Sequence, residues 1–156
     1  MKKRHPDWIK YQSEARERRT LFIAELDEAA KKEIVDGWVK ECSPEDTSAI
    51  HSEFVRQLSI CMYDPNLGWE MILRIFNSTD NKLCHLRLGA WHLESWLAIH
   101  RSSVIPRVEN MASSNLLFRR LLSCVYQNDL SSVEYERIKL AAIYDGYFDD
   151  LSNSNA

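Results

Sequence analysis

Residues 90–100 read AWHLESWLAIH, and this stretch decides the fold. The residues that recur there at helical spacing are Leu93, Trp96, Leu97 and His100. The stretch is apolar on most sides, and a helix with that character is a buried one. It therefore predicts the central helix of an all-α domain, with Trp96 and Leu97 about nine-tenths buried or more.

On both sides of this central stretch, the chain carries signals for the start and the end of helices. Asp64 before Pro65 has the character of an N-cap followed by a proline in the first turn. Ser131 and Glu134 form an S-x-x-E capping box. Gly89 stands where a C-cap glycine would, so it predicts that a short helix ends just before the central stretch.

The chain as a whole predicts an all-α fold of about eight short helices in stacked helical hairpins, forming a single domain. The sequence has 4 Gly and 4 Pro, too few for the many turns of a β-sandwich or barrel. The first two helices are expected over residues 8–19 and 21–41. We divide the chain into a basic N-terminal helical segment, an all-α domain and a frayed polar tail, which are residues 1–20, 21–150 and 151–156.

Composition excludes several classes of protein. The 156 residues are 45% hydrophobic and 28% charged, which suits one packed domain and not a disordered chain. No apolar run is long enough to span a bilayer, so we expect no membrane association. The net charge of -3 gives no reason to expect nucleic acid from the chain as a whole. No apolar signal segment follows the basic N-terminus, so we expect a cytoplasmic location.

Neither the cysteines nor the histidines have the spacing of metal ligands. The residues in question are Cys42, Cys61, Cys84, Cys124, His85, His92 and His100. There is no C-x-x-C pair, and the three histidines lack the tight spacing of a zinc site. We therefore expect no metal and no cofactor. Three of the cysteines lie among apolar residues and are expected to be buried: Cys42, Cys61 and Cys124.

Arg87 and His92 form one weak catalytic candidate. Their spacing fits the R-x4-6-H element of a class of all-α ribonucleases, in which two copies of the element meet in a dimer. Histidine can serve as a general acid or base, and arginine can stabilise charge on a phosphate. A ribonuclease is therefore one alternative function. In the other interpretation, Arg87 ends a helix and His92 is a partly exposed residue without a catalytic role.

The basic N-terminus supports a second alternative, association with nucleic acid. Residues 1–20 hold seven Lys/Arg and three Asp/Glu. Aromatic and basic side chains alternate there, at Lys2, Lys3, Arg4, Trp8, Lys10 and Tyr11. Stacking combined with positive charge is how proteins contact single-stranded nucleic acid. The competing interpretation is a solvated helix whose Trp8 packs on the body of the protein.

From DPNLGWEMILRIF onward, the chain carries a series of motifs. The matching positions are Trp69, Ile72, Gly89, Leu93, Glu94, Leu97, His100, Ile105, Val108, Glu109, Ala112, Phe118, Arg119 and Leu122. Over residues 64–126, this pattern resembles a family of small bacterial proteins of unknown function. That family has a G-P-L-E-x-L-L-x-x-H-G element, followed by F-I-x-x-[IV]-E-x-x-A and F-R-x-x-L helices. The chain departs from it at Trp91–His92, where the family has Gly-Pro, and at Arg101, where it has Gly. The resemblance implies a bacterial all-α domain and no particular activity.

The function that we predict first is a non-catalytic protein-interaction protein, either an immunity protein or an inhibitor that neutralises a toxin or another partner. The sequence assembles no catalytic set, and an acidic protein meets basic partners quickly. The predicted partner-binding residues are acidic, with one aromatic anchor: Glu41, Glu45, Asp46, Glu53, Tyr63 and Asp64.

Overall fold

The computed structural model describes residues 6–42 and 52–152, and these residues form helices and no strand. The all-α prediction is confirmed, and eight of the helices have seven or more residues, as expected from the sequence. Residues 1–5, residues 43–51 and the end of the predicted polar tail, residues 153–156, lie outside the described residues. No described helix is long and apolar enough to cross a membrane.

The elements follow one another with short connections. In chain order they are α1 (Pro6–Glu25), α2 (Glu28–Glu41), α3 (Glu53–Cys61), α4 (Pro65–Ser78), α5 (Lys82–Arg87), a π-helix (Leu88–Leu93), α6 (Glu94–His100), a 3-10 turn (Arg101–Ser103), α7 (Ile105–Ser114), α8 (Leu116–Leu122), α9 (Ser132–Ala141) and α10 (Asp149–Ser152). Helices α2, α3 and α4 pack together, and α7, α8 and α9 form a second group. The π-helix touches both groups, through α4 and α8. Trp96 and Leu97 are 0% exposed, which confirms the buried central helix.

Gly89 does not end a helix, so that prediction was wrong. The backbone stays helical from α5 through the π-helix into α6, as the dihedral angles of Arg87 and Leu93 show. We refer to this continuous element, Lys82–His100, as the central helix. A Cβ atom at Gly89 would lie 2.7 Å from the Leu121 carbonyl oxygen, so the glycine permits close packing of α8.

The first two helices meet at a different place from the one that the sequence predicted. Helix α1 continues through residues 19–21, and the break comes at Leu26 and Asp27. The Asp27 side chain accepts a hydrogen bond from the Ala30 amide at 2.8 Å and so caps α2. This cap was missed because Asp27 stands inside a run of residues that all favour a helix.

The predicted N-caps of α4 and α9 are confirmed. Asp64 accepts hydrogen bonds from the amides of Asn66 and Leu67 at 2.9 and 2.7 Å. Ser131 and Glu134 form the complete capping box at the start of α9. Both motifs depend on residues within one helical turn, which is why the sequence suffices to predict them.

Candidate functional site

Arg87 and His92 both lie on the central helix, where His92 is part of the core. The imidazole Nε2 of His92 accepts a hydrogen bond from the Trp38 indole N–H at 3.0 Å. Burial lowers the pKa of His92 to about 3, so the ring is neutral near pH 7. Arg87 places its guanidinium 5.6 Å from the Trp91 ring centroid. A general acid or base must reach its substrate. Because the His92 ring is buried and bonded to Trp38, it is suited instead to hold α2 against the central helix.

The other two histidines of this stretch are each held by a backbone carbonyl. His85 is buried with Nε2 at 3.2 Å from the Phe76 oxygen, and His100 has Nε2 at 2.8 Å from the Met62 oxygen. In the part of the chain that the structure describes, no group of three or more His, Cys, Asp or Glu could hold a metal ion. Through these hydrogen bonds, His85 links the central helix to α4, and His100 links it to the turn between α3 and α4.

The structure places Glu53 and Tyr63 at opposite ends of α3. Helix α3 has nine residues, which corresponds to roughly 13 Å along its axis. Glu53 pairs with Arg56 at 2.5 Å. The Arg19 guanidinium lies 4.0 Å from the Tyr63 ring centroid, and Asp64 caps α4. Each of these side chains thus has a local partner, and the predicted acidic face is spread along a helix.

The remaining members of that predicted face lie near the end of α2. Glu41 is half-buried, and its Oε2 atom is buried without a hydrogen-bond partner. Glu45 and Asp46 lie outside the described residues. The prediction that all six residues form one partner-binding face stays a prediction.

The predicted nucleic-acid-binding segment is only partly described. Lys10 and Tyr11 are exposed on α1, where the Lys10 ammonium lies 3.9 Å from a Glu14 oxygen. Helix α1 contains four Lys/Arg and four Asp/Glu, so its charges balance. Of the other predicted contacts, Lys2, Lys3 and Arg4 lie outside the described residues, and only the backbone of Trp8 is described. Association with nucleic acid also stays a prediction.

Three tyrosines surround a cleft of about 400 Å³. Its walls come from the central helix, the turn after α8 and the segment before α10, and its aromatic lining is Tyr126, Tyr144, Tyr147 and Phe148. Tyr126 is 68% exposed and Tyr144 is 61% exposed, although both are large and partly apolar. We call this site the tyrosine cleft.

Backbone hydrogen bonds hold the walls of the tyrosine cleft in place. The Tyr126 amide donates to a Glu94 carboxylate oxygen at 2.9 Å, which ties the turn after α8 to the central helix. The Ile143 amide donates to the Arg119 oxygen at 3.1 Å, just before Tyr144. Gly146 has φ 74, a conformation that favours glycine, and it turns the chain toward α10. These hydrogen bonds and the turn at Gly146 therefore fix the backbone that carries the cleft tyrosines.

Two cations already contact an aromatic ring of the cleft. Lys82 and Arg120 each lie 4.4 Å from the Tyr147 ring centroid. Arg120 also pairs with Asp145 at 2.8 Å. Asp149 lines the cleft, and among the described residues it forms no ion pair. The cleft thus combines aromatic faces with a carboxylate, which are the groups that recognise organic cations.

Two titratable groups of the cleft, Cys124 and Tyr144, are protonated at neutral pH. Burial raises the pKa of the Cys124 thiol to about 11, and burial also raises the pKa of Tyr144. A thiol is a weak nucleophile until it ionises. The cleft is therefore chemically suited to binding, and its Cys124 is not an activated nucleophile.

The cleft tyrosines are not among the aromatic contacts predicted from the sequence, which are Trp8, Tyr11 and Tyr63. Trp69 stacks on buried Trp96, with ring centroids 5.2 Å apart, so this pair belongs to the core. The available signal was YDGYF at residues 144–148, where two tyrosines flank Asp and Gly after the last apolar helix. Of the aromatic residues in this stretch, Phe148 is buried and Tyr144 is 61% exposed, so the turn leaves a ring outside the core.

A family model matches residues 43–145, and its description is a family of unknown function, DUF6869. The match covers more than half of the 156 residues. The chain belongs to the DUF6869 family. No curated protein and no solved structure matches it.

The DUF6869 match includes the whole of the central helix and ends within the tyrosine cleft. Tyr126 and Tyr144 lie inside the matched residues, whereas Tyr147 and Asp149 follow them. The match also includes residues 64–126, on which the resemblance to a family of unknown function depends. Two of the three tyrosines thus come from the DUF6869 region, and the third comes from the segment that follows it.

Proposed function

We propose that this protein acts by binding another protein, and that the tyrosine cleft receives a basic segment of that partner. The observation that carries the proposal is the exposure of Tyr126 and Tyr144, which line the same cleft. Tyrosine is enriched among the residues that contribute most to binding at interfaces, because it offers a large contact area at a low entropic cost.

The charge of the site supports a basic partner. Residues 145–156 contain three Asp and no Lys or Arg, and the whole chain has a net charge of -3. Tyr147 already contacts Lys82 and Arg120, so a ring of this cleft is able to accept cations. A lysine or arginine side chain of the partner would meet the rings of Tyr126 and Tyr144 and the carboxylate of Asp149 in the same cleft.

In its more specific form, the proposal is that the protein is a bacterial immunity protein or inhibitor that neutralises a toxin. The small size, the acidic charge and the absence of a catalytic set in the sequence support this form. Co-expression with the product of the adjacent gene tests it: the protein should restore growth if that product is toxic. Growth restored equally by a Tyr126→Ala, Tyr144→Ala double variant would exclude the cleft as the neutralising surface.

The binding step itself can be tested with a defined probe. We expect a short lysine-rich peptide to shift the amide resonances of the tyrosine cleft, whereas a glutamate-rich peptide of the same length should not. Tyr144→Ala should weaken the lysine peptide about tenfold, which corresponds to about 1.4 kcal/mol for an interface anchor. Both peptides are titrated by heteronuclear NMR at constant ionic strength.

The matched control is Tyr11→Ala, because Tyr11 is 60% exposed on α1, outside the cleft. This variant should bind the lysine peptide as the parent chain does. Equal loss of affinity in both variants, or shifts spread evenly over the surface, would contradict the proposal. A single-stranded oligonucleotide in the same titration, with shifts confined to α1, would instead support the nucleic-acid alternative.

A further inference from the structure

A cleft of about 310 Å³ lies between α1 and the turn that joins α3 to α4. The residues that line it are Arg16, Arg19, Thr20, Ile23, Tyr63 and Asp64. The four that belong to α1 have the spacing that places side chains on one face of a helix. The volume is at the lower end of the range for cavities that bind small molecules. We call this site the arginine pocket.

The two arginines of the pocket are not neutralised by carboxylates in the described part of the chain. Neither Arg16 nor Arg19 forms an ion pair there, and Arg16 is exposed. The Arg19 guanidinium instead lies 4.0 Å from the Tyr63 ring centroid. A ring contact of this kind leaves the N–H groups of a guanidinium able to donate hydrogen bonds. The pocket therefore contains two cationic groups that can donate to a ligand.

The one carboxylate of the pocket is bonded to the start of α4. The Oδ1 atom of Asp64 accepts hydrogen bonds from the amides of Asn66 and Leu67, at 2.9 and 2.7 Å. Asp64 forms no ion pair with either arginine of the pocket. The lining thus contains two positive charges and one negative charge. This balance favours an anion, and an anion with two charges can use both guanidinium groups.

The backbone on both sides of the arginine pocket is fixed before a ligand arrives. On one side, the Thr20 hydroxyl donates to the Arg16 carbonyl oxygen at 3.0 Å, within the continuous helix α1. On the other side, His100 Nε2 lies 2.8 Å from the Met62 carbonyl oxygen, directly before Tyr63. A site whose backbone is ordered in advance loses less conformational entropy when it binds a ligand.

We propose that the arginine pocket binds a small phosphate monoester through Arg16 and Arg19. A phosphate monoester carries between about 1.5 and 2 negative charges at neutral pH, which suits two arginines better than the single charge of a carboxylate. Its oxygens can accept paired hydrogen bonds from each guanidinium. Ile23 and the ring of Tyr63 offer apolar contact to the organic group of the ester. The site is independent of the tyrosine cleft.

A polynucleotide is another source of phosphate, and the structure favours the small molecule. One turn before Arg16, the same face of α1 carries Gln12 and Ser13, which have no charge. Proteins that bind single strands follow the backbone with a positively charged groove that spans several nucleotides. Because the row of cations on α1 does not continue past Arg16, the pocket suits a single phosphate group.

The test is an NMR titration of the full chain with phenyl phosphate at constant ionic strength. We expect saturable shifts of the amide resonances of residues 16–23 and 63–64, and inorganic phosphate should shift the same residues at higher concentration. Phenol, which lacks the phosphate, should leave them unchanged. The absence of saturable shifts, or equal shifts with phenol, would overturn the proposal. A single-stranded oligonucleotide that binds these residues more tightly than phenyl phosphate would overturn the assignment to a small molecule.

A pair of charge-neutralising variants tests the residues. Arg16→Gln should weaken the binding of phenyl phosphate about tenfold, because it removes one set of charged donors. The matched control is Arg18→Gln, which removes the same charge from the same helix. Arg18 is exposed and stands two residues from Arg16, so it lies on a different face, and its variant should bind as the parent chain does. Equal weakening in both variants would show that the phosphate responds only to the net charge of α1, and would overturn the proposal.

A third variant should bind more tightly, which a loss of structure cannot imitate. Asp64→Asn removes the negative charge of the pocket, while asparagine keeps the cap of α4. We expect the affinity for phenyl phosphate to rise about threefold, since a nearby carboxylate repels the ligand. Urea unfolding of each variant checks that the fold is retained. Unchanged or weaker binding in a folded Asp64→Asn protein would place the phosphate outside the arginine pocket and overturn the proposal.

Discussion

Trp38 and His92 share a hydrogen bond in the core, and that bond requires an imidazole nitrogen without a proton. Burial lowers the pKa of His92 to about 3 from an ordinary value of 6.5. Below about pH 6.5, the unfolded chain therefore binds a proton that the folded chain excludes. The contribution of His92 is at its most favourable above that pH, and it declines as the pH falls toward about 3.

We accordingly expect His92 alone to lower the free energy of unfolding by about 1.4 kcal/mol per pH unit between about pH 6 and pH 4. Urea unfolding at several pH values measures this slope. The control is His92→Gln, which keeps an acceptor but cannot titrate, so its stability should fall less steeply over the same range. Parallel curves for the two proteins would show that His92 is not excluded from protonation in the folded state.

Arg101 ends the central helix in a conformation that favours glycine, with φ 53 and ψ -136. A side chain in this region costs about 1–3 kcal/mol. Arg101→Gly should therefore raise the free energy of unfolding by about 1 kcal/mol, since the added freedom of the unfolded chain offsets part of the gain. Ser102→Gly is the control: Ser102 has no positive φ, so the glycine should lower the free energy of unfolding instead. A loss of stability in Arg101→Gly, measured by urea unfolding, would show that the backbone there is not strained.

At the scale of elements, the central helix depends on a glycine that a helix would ordinarily disfavour. Replacing glycine by alanine inside a helix usually stabilises it by about 1 kcal/mol. At Gly89 we expect the opposite sign, because the new methyl group would lie 2.7 Å from the Leu121 backbone oxygen and 3.0 Å from the Cys124 Cβ. Gly89→Ala should destabilise the protein in urea unfolding. For comparison, Leu97→Ala, at a fully buried position of the same helix, should lower the free energy of unfolding by about 2–5 kcal/mol.

The sequence predicts an element well when its signal is local. The Asp64 cap and the capping box of Ser131 each depend on a single turn, and both were predicted correctly. Gly89 was misinterpreted because its role is decided by Leu121, which belongs to another helix. The tyrosine cleft was missed for the same reason: Tyr126 and Tyr144 lie on different segments, and only the folded chain brings them to one cleft.

For the whole molecule, the basic partner that we propose has two candidate binding surfaces. One is the tyrosine cleft with Asp149 beside it. The other is the acidic set along α3, in which Glu53 and Asp64 already have local roles as an ion-pair partner and a helix cap. Exposed charges at a rim act mainly on the rate of association, whereas buried aromatic anchors act on the rate of dissociation. The two surfaces can therefore be separated by kinetics.

We expect a triple variant, Glu41→Gln, Glu53→Gln and Asp64→Asn, to associate more slowly with a basic protein partner and to show a weaker dependence on salt. Asparagine keeps the cap of α4, so the fold should be retained. In Tyr126→Ala, by contrast, dissociation should be faster and the salt dependence unchanged. The association and dissociation rates are measured at two ionic strengths with the partner immobilised on a biosensor. If the triple variant keeps the parental association rate and salt slope, the acidic set does not face the partner, and the charge that attracts it must come from Asp149 and the C-terminal segment.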